Sequence, residues 1–138
     1  MATLIWTDAG VTVNAVDLSD HVRSVSVTYE AEMQDETAMS LDTRKNKPGL
    51  LNWSVDVEFN QDFAAGEVDA TLFPLVGAAA FAIAIVPVAG SAESATNPTY
   101  EGNVVLESYG PVDGAVGDLA VVRATFRSAG TLSRTTGA

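Results

Sequence analysis

The chain has no cysteine, which excludes disulfide scaffolds, thiolate metal sites and a cysteine nucleophile. It has one histidine, His21. A triad built on His21 would need a serine presented by a Gly-x-Ser-x-Gly elbow, and no such elbow occurs. A closed zinc site with one histidine and no cysteine would need several carboxylates. Neither a calcium-loop pattern nor a Gly-x-x-x-x-Gly-Lys phosphate loop is present. These absences predict no catalytic residue, no metal centre and no cofactor. Basic residues are scarce as well: 7 Lys and Arg stand against 18 Asp and Glu, for a net charge of −11. A protein so acidic repels phosphate and does not hold nucleic acid by charge neutralisation. No Lys or Arg occurs between Lys47 and Arg123, a stretch with ten acids. These predict a negative surface with little local compensation.

What is present is apolar and β-patterned. The 138 residues, 14.4 kDa, are 47% hydrophobic, which predicts one globular domain over residues 1–138 rather than disorder. In 22–30, Val25, Val27 and Tyr29 fall on one face and Ser24, Ser26, Thr28 and Glu30 on the other. In 53–60, Trp53, Val55, Val57 and Phe59 oppose Ser54, Asp56, Glu58 and Asn60. This period of two marks half-buried strands. Two further strands are expected over 100–109 and 118–128, with Gly110, Pro111, Gly114 and Gly117 supplying the turn. Phe81–Val86 (FAIAIV) is apolar on both faces, as in a fully buried strand. Weaker strands are expected at Thr3–Trp6 and Val11–Val13. One helix is expected over 66–76. There Val68, Leu72, Leu75 and Val76 share a face, Glu67 and Asp69 sit in the first turn, and Pro74 threatens an early end.

Residues 70–92 carry no charge and are long enough to span a bilayer. Pro74, Gly77, Pro87 and Gly90 divide the run and no basic residue flanks it, so two buried elements are expected instead. Met1–Trp6 lacks the basic start of a signal peptide. Asp56 and Glu58, two apart on one strand face, have the residue types of a hard-cation site, and Asp56 with Glu58 or Glu30 those of a glycosidase pair. A solvated strand face explains them as well, and no aromatic platform lies beside them. The stretch 31–49 is polar and lacks periodicity, yet holds Arg44, Lys45 and Lys47. It reads as a long loop, either an arm reaching a neighbouring molecule or a surface loop.

The order of these features resembles the tail tube proteins of long-tailed bacteriophages. The likeness runs from Val16-Asp-Leu-Ser-Asp-His-Val-Arg-Ser-Val-Ser-Val-Thr-Tyr29 through the polar stretch with Asp35-Glu-Thr37 to Gly49-Leu-Leu-Asn-Trp53. It continues with the acid-started helix, the hydrophobic strand, Asn97-Pro-Thr-Tyr-Glu-Gly102, Gly117-Asp-Leu119 and Gly130-Thr-Leu-Ser-Arg134. It spans nearly the whole chain, though no single motif in it is diagnostic.

The resemblance implies a mainly β fold: a β-sandwich or partial barrel with one flanking α-helix and a long loop. It also implies a ring of six copies whose inner strands join into one barrel, with rings stacked into a tube that conducts the genome. On that reading Ser26, Thr28, Glu30, Asp56 and Glu58 face the channel. Val25, Val27, Tyr29, Trp53, Val55, Val57 and Phe59 pack inward against Val68, Leu72 and Val76. Gln34, Asp35, Glu36, Thr37, Arg44, Lys45 and Lys47 form the inter-subunit loop. The implied partners are further copies of the chain and other tail proteins, with DNA passing without tight binding. The implied location is the virion tail, after synthesis in the host cytoplasm. Two alternatives stand beside it: a tail terminator or neck ring protein, and a monomeric β-sandwich binding module.

Overall fold

The alternating segments become the centre of one antiparallel sheet. A computed structural model describes residues 9–90, 93–112 and 114–136; the strand expected at Thr3–Trp6 lies outside them. The strands are β1 (Gly10–Val13), β2 (Val16–Asp17), β3 (Val22–Asp35), β4 (Asn46–Asn60), β5 (Phe81–Val86), β6 (Thr99–Tyr109), β7 (Val121–Ser128) and β8 (Ser133–Thr135). Their order in the sheet is β2-β1-β5-β6-β7-β4-β3, with β8 added on β6. The sheet does not close: β3 and β2 are its two edges.

Residues that alternate in sequence separate cleanly across this sheet. Val55, Val57 and Phe59 of β4 are buried with Val122, Ala124 and Phe126 of β7 and Val104 and Leu106 of β6. Phe81 meets Phe126 edge to face, with ring centroids 5.9 Å apart, a geometry that aromatic quadrupoles favour. Trp53 is buried, and its indole N–H donates to the Gly130 carbonyl at 2.8 Å. Gly102 lies against that ring: a Cβ there would stand 2.7 Å from Trp53 and 2.8 Å from the Thr131 carbonyl.

The helix is shorter than its pattern. α1 spans Val68–Leu72, and a 3-10 turn follows at Phe73–Leu75, because Pro74 cannot donate to a continuing α-helix. Val68, Leu72 and Leu75 remain buried, but Val76 leaves the helical face and is 48% exposed. At the helix start, Tyr109 of β6 donates its hydroxyl to Asp69 at 2.9 Å and accepts from the Gln61 amide at 3.0 Å. That arrangement pins α1 to the ends of β4 and β6.

Three further expectations need correction. β5 is not buried on both faces: Phe81, Ile83 and Ile85 are buried, while Ala82 is exposed and Ala84 half-buried. Alanine is apolar but small enough to sit at the surface at little cost, so it mimicked a buried position. Tyr29 does not pack fully inward; although it lies opposite the buried Trp53, it is 53% exposed, because on the edge strand β3 it lines an open groove with Tyr100 and Leu132. The stretch 31–49 is no irregular loop. β3 continues to Asp35 and β4 begins at Asn46, with Ala31 opposite Leu51, Met33 opposite Pro48 and Asp35 opposite Asn46. Only the tip of a long hairpin lies outside the ladder. Pro48 is tolerated because β7 pairs with β4 only over Ser54–Asn60, leaving β4 without a second neighbour there.

No helix among the described residues is long and apolar enough to cross a membrane.

Candidate functional site: a polar sheet face and a projecting arm

The cross-strand register gathers five of the sequence-selected residues on one face. Ser24 lies opposite Glu58, Ser26 opposite Asp56, Thr28 opposite Ser54, and Glu30 opposite Asn52. The apolar rows Val25–Val57, Val27–Val55 and Tyr29–Trp53 alternate with them. Side chains two residues apart share a face, so Ser26, Thr28, Glu30, Asp56 and Glu58 form one continuous polar surface over β3 and β4.

The third strand of this surface changes its charge. On β7, Arg123 lies opposite Glu58, Thr125 opposite Asp56 and Arg127 opposite Ser54. The Arg123 guanidinium is 3.0 Å from the Glu58 carboxylate. Thr125 donates to Asp56 at 2.9 Å. Arg127 is ion-paired with Glu107 of β6, and that carboxylate holds the guanidinium above its ordinary pKa. The expected lack of compensation therefore fails here. Two arginines that follow the basic-poor stretch in sequence lie beside its acids in space.

The arm is the second feature. At its tip Asp35 accepts from Arg44 at 2.8 Å and from the Thr37 amide at 2.9 Å. The Thr37 hydroxyl and amide, with Arg44, hold the Asp35 carboxyl below its ordinary pKa. Lys45 pairs with Glu36 at 3.3 Å, and its amide donates to the Thr37 hydroxyl at 2.7 Å. Arg44 and Lys45 are thus engaged with acids of the arm itself. Lys47 and Gln34 face each other across the ladder. What sequence reasoning missed on the arm is its apolar surface. Met33, Met39, Leu41, Leu50 and Leu51 are all exposed, Met39 by 94% and Leu50 by 79%. The signal was the presence of five large apolar side chains in a stretch too polar to bury them. Segment 34–48 holds three acids and three bases, so the arm is neutral while the rest of the chain carries the whole net charge of −11.

Two further features frame the site. β3 pairs only with β4 among the described residues, so its outer edge presents a long row of unpaired backbone groups. Where the sheet fails to close, Val25, Val27, Tyr29, Ile85, Pro87, Tyr100 and Leu132 line an open apolar groove of about 370 Å³. Among the described residues, the densest group of metal-ligand side-chain types is Asp20, His21 and Glu67. Both imidazole nitrogens there face carboxylates at hydrogen-bonding distance, so the group is an ion-pair cluster.

No family model matches the chain, and no curated protein matches it. Solved structures do. A chain in the virion of a native gene transfer agent aligns with a TM-score of 0.74 at 16% identity, over 96% of this chain and 99% of that one. The SPP1 tail tube aligns with a TM-score of 0.74 at 8% identity, over 97% of this chain and 80% of that one. The sheath/tube terminator of an extracellular contractile injection system aligns with a TM-score of 0.72 at 13% identity, over 98% of each chain. The chain has the tail-tube fold. At these identities the tail-tube likeness is one of backbone architecture, and the β3–β4 hairpin with its arm is part of the span it covers.

Proposed function

We propose that the protein is a structural component of a phage-like tail, a tube subunit that self-assembles into stacked rings in the virion. The observation that carries this reading is the near end-to-end coincidence of its fold with a tail tube, joined to an open β3 edge and a neutral, apolar arm. A head-to-tail contact between copies closes into a ring when the rotation permits and removes the exposed edge. Six copies per ring is the number the tail-tube resemblance implies. The arm, from Gln34 through Asp35, Glu36, Thr37, Arg44 and Lys45 to Lys47, makes the contact with the next copy. It does so mainly through Met33, Met39, Leu41 and Leu50, where a strongly negative protein can approach its own kind without repulsion.

In this reading Ser26, Thr28, Glu30, Asp56 and Glu58 line the bore. Duplex DNA carries one negative charge per ~1.7 Å, so a basic wall would hold it by counterion release. A wall of acids partly balanced by Arg123 and Arg127 gives neither strong attraction nor strong repulsion, and the duplex slides. The role is mechanical and requires no cofactor.

A second reading has its own support in the likeness to a tube terminator: one capping ring rather than a stack. Negative-stain microscopy of the purified protein separates the readings. Long tubes are the expected result, and isolated rings would transfer the proposal to the terminator role. Solitary particles at high concentration would overturn both and favour a monomeric β-sandwich binding module.

A further inference from the structure

His21 lies in a 3-10 turn, Ser19–His21, immediately before β3. Its side chain is only 15% exposed. Nδ1 is 2.8 Å from Asp20 Oδ1. Nε2 is 3.0 Å from Asp62 Oδ2 and 3.5 Å from Glu67 Oε2. Asp62 and Glu67 belong to the loop between β4 and α1. That loop is itself built on these two residues. The Asp62 carboxylate accepts from the Ala64 amide at 2.9 Å, its carbonyl accepts from the Asp69 amide at 3.1 Å, and the Glu67 carbonyl accepts from the Thr71 amide at 3.1 Å. One imidazole therefore bridges the root of β3 and the segment that carries the buried Val68 and Leu72.

A neutral imidazole has one N–H and one lone pair. Between carboxylates on both sides, the neutral ring turns its lone pair against a carboxylate oxygen at 2.8 or 3.0 Å. Only the imidazolium donates in both directions. The groups facing it are Asp20 from the turn and Asp62 and Glu67 from the loop, all acidic. Among the described residues, none of the three carboxylates is paired with a Lys or Arg.

We propose that His21 is a pH-sensitive latch: its imidazolium ties the turn ahead of β3 to the loop that carries α1, and loss of the second proton releases the tie. This inference does not depend on the tail-tube reading. Burial disfavours the charged ring, but the hydrogen bonds to Asp62 and Asp20 and the charges of Asp20 and Glu67 outweigh it and raise the His21 pKa above its ordinary 6.5. The sign follows. The folded state binds the proton more tightly than the unfolded one, so the contribution is complete below pH 6.5 and fades as pH climbs through the higher folded value.

Because His21 is the only histidine, its Cε1–H resonance is unambiguous in a proton NMR titration of the dilute, unassembled protein. The expected midpoint lies above 6.5, and Asp62→Asn or Glu67→Gln lowers it. Hydrogen exchange of the wild-type segment 62–72, followed by mass spectrometry, is expected to speed up through that midpoint relative to His21→Gln, whose side chain does not titrate. A wild-type midpoint at or below 6.5 would overturn the latch. So would exchange in 62–72 that follows the same pH course in wild type and His21→Gln.

Discussion

The Arg123 guanidinium on β7 lies 3.0 Å from the Glu58 carboxylate on β4, across a ladder in which the two residues are direct partners. Glu58 is the more enclosed of the two, so the arginine covers a carboxylate that would otherwise stand bare on the polar face. Exposed pairs of this kind add little to stability. Their effect is on the field of the surface. Replacing Arg123 and Arg127 together by glutamate is expected to lower the urea midpoint modestly, because each new carboxylate then faces Glu58 or Glu107. It is also expected to make assembly salt-dependent, with ordered particles forming only when added NaCl screens the new repulsion. Light scattering across a salt series reads this, and assembly indifferent to salt would count against it.

The arm carries its apolar side chains outside the core. Deleting residues 36–45 and closing the hairpin with a short turn is expected to preserve the far-ultraviolet circular dichroism and the cooperative unfolding of the subunit, because Val55, Val57, Phe59 and their buried partners are untouched. Sedimentation should show the variant as a monomer at concentrations where the parent assembles. Assembly equal to the parent's would remove the arm's tip, with Met39 and Leu41, from the interface.

Gly102 is required by contact rather than by its backbone angle. A methyl carbon at this position would stand 2.7 Å from Trp53 and 2.8 Å from the Thr131 carbonyl, so Gly102→Ala must displace a fixed indole or the β8-side backbone. Overpacking of this sort costs about 1–3 kcal/mol. The check is a lowered urea midpoint with an unchanged slope, together with a shift in Trp53 fluorescence.

Tyr109 ties β6 to Gln61 and Asp69. Burial, and then the neighbouring Asp69, push its hydroxyl up to about 12, against the lowering effect of the Gln61 bond. The folded state holds this proton more tightly than the unfolded chain does. Its contribution is complete below pH 10 and is lost as pH rises from there towards 12. Tyr109→Phe is expected to cost about 1 kcal/mol at neutral pH through the lost hydrogen bonds. It should also remove the latest-titrating component of the tyrosine absorbance in the near ultraviolet. An unchanged titration curve would contradict the assignment.

The half-buried strands were legible because burial on one side imposes a period of two. Val25, Val27, Trp53, Val55, Val57 and Phe59 announce β3 and β4 for that reason. The arm was illegible by the same logic. Where β3 and β4 leave the core, Met33, Leu50 and Leu51 are as exposed as Gln34 and Lys47, so nothing makes the residues alternate although the backbone ladder continues. The helix start was readable, and Pro74 warned of its early end. The charge balance of the polar face was not readable. Arg127 meets Glu107 across the consecutive strands β6 and β7, but Arg123 meets Glu58 only because β7 pairs with β4, a long-range pairing that local composition does not encode. The engagement of His21 with Asp62 and Glu67 depends on the distant loop after β4 folding back onto the turn.

The central claim is that the polar face of β3 and β4 looks into a bore shared between copies. A cryo-electron microscopy map of the assembled protein tests it most directly. The account predicts Asp56 and Glu58 on the wall of a central channel, with the β3 edge paired to a neighbouring copy. A map in which these two carboxylates lie on the outer surface of the assembly would contradict it.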